Sequence, residues 1–318
     1  MLRVAIVQAA PVFMNLEASL ARAIEFTTQA ASEGARLVVF GETWLPGYPA
    51  WLDYCPGAGL WNHEPTKEVF AELRRNSIAI EGSEALALAH VAKRHGVVLV
   101  IGVNEKVDQG PGNGTLYNSL LTFGSDGTLI NHHRKLIPTF TERLVWGQGD
   151  GDGLRAVDTS AGRIGGLICW EHWMPLARQV LHDSGEHIHI AVWPAVHEMH
   201  QVASRHYAFE GRCFVIAAGL LMRVRDIPSQ LPITSELSDK TDELLLRGGS
   251  AIIGPDGRYV VEPLFDEERV MIADLDLKAI DKERMTLDVS GHYQRDDLFS
   301  LRVKAPDFES QLRHVDHD

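Results

Sequence analysis

The sequence predicts a mixed-sheet α/β sandwich with sheets inside and helices outside, and three observations carry that prediction. Short apolar runs alternate with helical periods along most of the 318 residues. Two stretches, SLLTFGSDGTLI (Ser119–Ile130) and SAIIGPDGRYVV (Ser250–Val261), each read as strand, Asp-Gly turn, strand. Each follows a series of strand–helix units, so the chain reads as two similar halves. No Ser/Gly-rich linker divides it, which favours one domain.

Taken in order, the expected strands are Val4–Ala9, Leu37–Phe40, Val97–Val103, Gly165–Cys169, Ile188–Trp193 and Phe214–Ala218. Several are apolar on both faces, as strands covered on both sides must be. Asn15 is placed to cap a helix whose inward positions are Leu16, Leu20 and Ile24, spaced by four. Ser83 is placed to cap the next, with Leu86, Ala89 and Val91 inward and Gly96 just past its end. Met174-Pro175 opens a third, since proline suits a first turn. A fourth helical run, Gln201 to Arg212, precedes the strand at Phe214.

Composition narrows the function classes. Hydrophobic content of 45% with 23% charged residues is that of a globular protein. A formal charge of −13, with no basic run to reverse it locally, argues against nucleic acid as a partner. Three cysteines, Cys55, Cys169 and Cys213, make no disulfide framework and suit a reducing compartment. The apolar run Val4–Ala10 lacks a cleavage-type end and is too short to span a membrane, and no later stretch reaches 18 apolar residues. The expectation is a cytoplasmic protein without a membrane partner.

Three residues share one structural context. Glu42 ends LVVFGE, Cys169 ends GGLIC, and Lys135 ends TLINHHRK, the second arm of the first hairpin. Ligands of open α/β sheets bind beyond the carboxyl ends of strands, where these side chains would project. A free thiol is only a few per cent thiolate at neutral pH. A carboxylate can take its proton, and an ammonium can hold both the thiolate and charge developing on a substrate. Trp170 and Glu171 follow at a strand-to-helix turn, where backbone N–H groups point outward. Spacing alone leaves the ordinary readings open: a lone cysteine at a strand end is usually inert filler, Glu42 a loop carboxylate and Lys135 a solvated edge residue.

Other signals are weaker. HIHIAVWPAVHEMH (His187–His200) is histidine-dense but contains no HExxH and no cysteine pair at zinc spacing, so no metal is assigned. Asp150-Gly151-Asp152-Gly153 resembles the start of a calcium loop, but Leu154 and Ala161 fall where ligands are required. GxSxG, GxGxxG and Walker loops are missing from the chain, so a serine hydrolase, a dinucleotide enzyme and an NTPase lose their main support, and no cofactor is expected.

Three longer motifs then become specific. FGETWLPGYP (Phe40–Pro49), HRKLIPTFTERLVWGQGDG (His133–Gly151) and CWEHWMPL (Cys169–Leu176) together resemble the nitrilase (carbon-nitrogen hydrolase) superfamily, and more narrowly its true nitrilase branch. The similarity runs from the first strand to GHYQRDDLF (Gly291–Phe299), with Gly41 and Asp296 as departures. The resemblance implies a four-layer αββα sandwich over residues 1–299 with a tail at 300–318. It implies Glu42 as general base, Lys135 as the family's lysine, Cys169 as nucleophile and Glu142 as a second glutamate supporting lysine and substrate. It further implies a homodimer or larger homo-oligomer, stacked through the helices after Cys169 and around Gln201–Arg212. The short stretch after Phe299 favours a dimer over a long filament.

The activity so implied is hydrolysis of a small-molecule nitrile to the carboxylic acid and ammonia, through a cysteine thioimidate and then a thioester. The loop after Glu42 is aromatic-dense (Trp44, Tyr48, Trp51, Tyr54 and Trp61), and Trp193 and His197 follow another strand end. Tyr48, Trp170, Glu171, Trp193 and His197 are therefore expected around the substrate, which favours an aryl or arylaliphatic nitrile. The alternatives are an amidase or carbamoylase using the same set, a cyanide-hydrolysing relative, a catalytically idle binding protein, and a Cys–His hydrolase with His172 or His197 as base.

Overall fold

The computed structural model describes residues 1–304; the end of the expected tail, 305–318, lies outside the described residues. The first half comprises β1 (Leu2–Gln8), α1 (Leu16–Ser32), β2 (Leu37–Phe40), α2 (Trp51–Tyr54), α3 (Glu64–Arg75), α4 (Ser83–His95), β3 (Val98–Lys106), β4 (Leu116–Phe123) and β5 (Leu129–Arg134). The second comprises β6 (Val157–Thr159), β7 (Gly162–Ile168), α5 (Pro175–Asp183), β8 (Ile188–Val192), α6 (Glu198–Gly211), β9 (Phe214–Ala218), β10 (Leu221–Arg223), β11 (Leu244–Ile253), β12 (Tyr259–Phe265), β13 (Arg269–Leu275) and α7 (Ala279–Arg284).

Two mixed sheets result. The first runs β13-β1-β2-β3-β4-β5, and the second β10-β11-β9-β8-β7-β6 with β12 on β11. In the first, β1, β2 and β3 are parallel and lead into the antiparallel β4–β5 hairpin. In the second, β7, β8 and β9 are parallel and lead into β11–β12. The two Asp-Gly turns close those hairpins, so the halves repeat one pattern of pairing.

Side-chain alternation along each strand separates the layers. Val4, Ile6, Val39 and Val100 share a core with Ile190 and Ile216 of the other sheet, while Ala5, Val7, Val38 and Phe40 turn outward to a second core with Ala23, Ala30 and Leu88 of the helices. Helices α1 and α4 pack over the first sheet, and α5 and α6 over the second. The protein is thus an α/β sandwich of two mixed sheets flanked by helices. Gly166 permits the sheets to approach under the site: a Cβ there would stand 2.8 Å from Leu120 Cδ2.

Asn15, Pro175 and Gly96 stand where the capping signals put them, but Ser83 is the first residue of α4 rather than its cap: Gly82 holds the cap position, with no side chain to accept a backbone N–H, and Ser83 Oγ donates to Glu84 Oε1 at 2.9 Å instead. The fourth helical run begins at Glu198, three residues earlier than expected, and the buried faces also differ from expectation. Asn15 accepts a hydrogen bond from Ala18 N, and Gly96 closes α4 at φ +62°. In α1 the buried line is Ser19, Ala23, Thr27 and Ala30, with Leu16, Leu20 and Ile24 only flanking it. Small residues let this helix lie close to its neighbours, and the large ones seal the edges. In α4, Ala85, Leu88, Val91 and Ala92 are buried while Leu86 is 57% exposed.

Candidate active site

Four chain turns at one end of the sandwich converge. Glu42 lies just past β2, ahead of Thr43 at φ +43°. Gly102 on β3 makes room for it, since a Cβ there would stand 2.4 Å from both Gly41 O and Thr43 N. Lys135 follows β5, its N–H donating to Asn118 O of β4 at 2.8 Å. Glu142 sits in a 3₁₀ turn, Phe140–Leu144, where the backbone N–H of Thr139 donates to its Oε2 at 2.7 Å. Cys169 follows β7 of the other sheet and has φ +52°, a left-handed conformation that costs a non-glycine residue strain.

These side chains meet. A carboxylate oxygen of Glu42, one of Glu142 and Cys169 Sγ lie within 4.8 Å of one another. Lys135 Nζ donates to Glu42 Oε1 at 3.0 Å and to Glu142 Oε2 at 2.7 Å. Asn118 Nδ2 donates to Glu42 Oε1 at 2.7 Å, and Tyr48 OH to Glu142 Oε1 at 2.7 Å. Glu42 Oε2 is buried and has no hydrogen-bond partner among the described residues. It is the one carboxylate oxygen of the pair left free to take a proton.

The electrostatics follow from burial. All four groups are nearly inaccessible, with Cys169 4% exposed. Burial raises Glu42 to about 7, against the pull of Lys135 and with help from the charge of Glu142. Burial also lifts the Cys169 thiol well above its ordinary value, although Lys135 draws it down. Burial opposes the charge of Lys135, but Glu42, Cys169 and Glu142 together raise its pKa. One cation thus faces two carboxyl groups, and a thiolate formed without loss of a carboxylate charge would leave an uncompensated buried anion. Transfer of the thiol proton to Glu42 keeps the net charge constant. Lys135 also answers the question of a metal: its ammonium already sits between the two carboxylates, where an entering cation would have to displace it.

A cavity of about 750 Å³ opens from Cys169. Tyr48, Trp170, Glu171 and His197, which the sequence suggests as substrate contacts, are among its lining residues, together with Tyr54, Phe140, Ile137 and His200. The carboxylate of Glu171 is fully engaged, accepting from the backbone N–H of Ile168 and of Leu136, each at 2.7 Å, and lying 2.9 Å from His133 Nε2. It staples the Cys169 strand end to the Lys135 strand end. Trp193 lies outside the cavity lining: it is fully buried, stacked between His172 (centroids 4.6 Å apart) and His200 (4.5 Å). Of the aromatic loop, Trp44 and Trp51 are core residues and Trp61 is almost fully exposed, so Tyr48 and Tyr54 alone reach the cavity. Asn118 was missed by sequence reasoning; the available signal was a lone amide inside the apolar strand LYNSLLTF.

Comparison with known proteins is consistent with this arrangement. The model of the carbon-nitrogen hydrolase family matches residues 3–284. An aliphatic nitrilase of Sinorhizobium fredii is 40% identical over 301 residues, covering 95% of each chain. Nitrilase 2 of Arabidopsis thaliana is 37% identical, covering 99% of this chain and 94% of its own. A bifunctional nitrilase/nitrile hydratase of Lupinus angustifolius is 37% identical, covering 95% of this chain and 86% of its own. The solved carbon-nitrogen hydrolase of Helicobacter pylori shares the fold, with a TM-score of 0.72 and 21% identity over 93% of this chain and 96% of its own.

Proposed function

Because the chain belongs to the carbon-nitrogen hydrolase family, in its nitrilase branch, and is a hydrolase of carbon–nitrogen bonds other than peptide bonds, we propose that it converts an organic nitrile and two waters to the carboxylic acid and ammonia. The observation that carries this reading is the buried Glu42 carboxylate, with one oxygen within 4.8 Å of Cys169 Sγ, Oε1 bonded to Lys135 and Oε2 free. Cys169 attacks the nitrile carbon as Glu42 takes its proton. The proton passes to the nitrile nitrogen, giving a thioimidate. Glu42 then activates a water, whose addition gives a tetrahedral species held by Lys135 and by the backbone N–H of Trp170. Ammonia leaves, and the thioester meets a second water to release the acid and restore the thiol. Glu142 holds Lys135 in place, with Tyr48 and Thr139 holding Glu142.

The substrate reading is an aryl or arylaliphatic nitrile. Its support is a cavity whose wall includes Tyr54, Phe140, Trp170, Ile137 and Met174, apolar surfaces on which a ring can lie. The similarity to an aliphatic nitrilase favours the other reading, so the assay takes both. Ammonia release is measured for arylacetonitriles, benzonitriles, aliphatic mononitriles and dinitriles, and each matching amide. Nitriles are expected to outrun their amides at least tenfold in kcat/KM. Amides turned over faster would make the protein an amidase, and a preference for short aliphatic nitriles would remove the aromatic assignment. A homodimer or larger assembly belongs to the same reading, supported by Leu176, Met199, Val202 and Phe209, large apolar side chains exposed on α5 and α6.

A pH dependence follows from Glu42. Only its ionised form accepts the thiol proton, so kcat/KM is expected to rise with pH through a midpoint near 7, where burial has placed the group. A profile from pH 5 to 9 that is flat through this range would exclude Glu42 as the base.

A further inference from the structure

A buried polar chain runs from the back of Cys169 through the second half of the molecule, and the mechanism above makes no use of it. His172 Nδ1 lies 2.7 Å from Cys169 O, and His172 Nε2 lies 3.0 Å from His189 Nε2. His189 Nδ1 lies 2.9 Å from Glu186 Oε2, and Tyr207 OH donates to Glu186 Oε1. His172, His189, Glu186 and Tyr207 are all buried, at 0–2% exposure.

Proton counting sets the roles. Both ends of the chain, a carbonyl and a carboxylate, only accept. Three contacts of hydrogen-bond length need three hydrogens, and two neutral imidazoles supply two. The third proton makes the chain complete, and its positive charge is matched by Glu186. In that arrangement His172 Nδ1–H donates to Cys169 O, its Nε2 accepts from His189, and His189 Nδ1–H donates to Glu186. The charges agree. Burial would raise Glu186, but His189 and His182 hold it at about 2, so it is ionised. Burial and the neighbouring His189 push His172 far below its ordinary value, so it is the neutral ring.

The consequence reaches the reacting sulfur through a single peptide plane. Cys169 O and the N–H of Trp170 belong to the same trans peptide and point in opposite directions. The N–H of Trp170 favours the Cys169 thiolate. Holding the carbonyl from behind therefore aims the N–H forward. It also holds Cys169 in its left-handed conformation, and Arg178 Nη1 secures the next anchor by donating to His172 O at 3.0 Å.

We propose that His172, its tautomer set by the His189–Glu186 pair, is a positioning residue that orients the Cys169–Trp170 peptide for catalysis. The proposal rests on Cys169 being the nucleophile. It predicts an unusual ranking of variants. Asparagine places its amide nitrogen where His172 Nδ1 lies; glutamine reaches the Nε2 position instead. His172→Ala is expected to lose roughly 10- to 100-fold in kcat with KM within about threefold, the scale of a misaimed oxyanion donor. His172→Asn restores most of that loss, and His172→Gln does not. Equal rates for the Asn and Gln variants, or a wild-type rate for the Ala variant, would overturn the proposal, since a space-filling role has no reason to prefer the shorter amide.

Two further measurements separate this from the assignment of function. Alkylation of Cys169 by iodoacetamide, followed by peptide mapping, needs no nitrile; the same order, Asn above Gln and Ala, is expected. If the wild-type enzyme turned over no nitrile, the proposed function would fail while the alkylation order still decided the role of His172. In ¹⁵N-histidine spectra of the wild-type protein, His172 is expected as the neutral Nδ1–H tautomer, and His189 protonated on both nitrogens. A neutral Nε2–H form of His172 would overturn the proposal even if no variant folded.

Discussion

Ammonia release from any nitrile is expected to fall on the order of 10⁴-fold or more in Cys169→Ala, with the melting temperature little changed. The thiol lies within 4.8 Å of a carboxylate oxygen of Glu42 and of one of Glu142, and the hydroxyl of Tyr48 is committed to Glu142 and does not replace it. Stability is spared because only one heavy atom is removed, and alanine meets the same backbone strain at φ +52° that cysteine already bears. The check is steady-state ammonia assay beside a thermal melt. Turnover near that of the wild type would remove Cys169 from the reaction, while an inactive variant that melts far lower would point to a structural role instead.

Lys135→Ala is expected to be damaging in two ways. The carboxylates of Glu42 and Glu142 would lose the ammonium that bonds both, at sites where Lys135 and Glu42 side chains are 0% exposed and Glu142 is 3% exposed. Breaking a buried ion pair by removing one partner costs about 3–5 kcal/mol. Activity should be nearly absent, since the charge of the tetrahedral species and the position of Glu142 both depend on the lysine. The stability loss has a definite sign with pH. Glu42 already titrates near 7 when folded, above its unfolded value of 4.5, and loss of the cation pushes it higher still. A carboxyl raised in the folded state contributes stability below its unfolded pKa and loses it as pH rises through the folded one. The deficit in melting temperature relative to wild type is therefore expected to be larger at pH 8 than at pH 5. A deficit independent of pH would mean that the carboxylates do not depend on Lys135 for their charge.

The parallel strands were readable because strands covered on both faces carry near-continuous apolar runs, and the hairpins because Asp126-Gly127 and Asp256-Gly257 close them. What could not be read depends on partners far away in the chain. Strand β3 continues past Val103 through Asn104 and Glu105, which look like a loop until Asn104 is seen accepting from Trp146 Nε1, and Glu105 pairing with His132 and Arg134. β13 joins the sheet by pairing with β1, with Leu275 opposite Leu2. Leu86 sits at a plausible helical spacing, but the face beneath α4 is filled by Ala85, Leu88, Val91 and Ala92, one position out of phase. In the site, Glu42, Lys135, Glu142 and Cys169 were legible through long motifs, whereas Asn118 depends on the register of β4 against β5. Trp193 was placed at the substrate because it ends a strand; the imidazoles of His172 and His200 claim both of its faces instead.

Glu42, Asn118, Lys135 and Glu142 all belong to the first half of the chain, and Cys169 to the second. A half-folded chain therefore carries a sulfhydryl with neither an acceptor for its hydrogen nor a counter-ion for its anion. Chemical competence arrives only when the two sheets have docked, so a nascent or partly opened molecule is no more reactive toward electrophiles than any other protein with a cysteine.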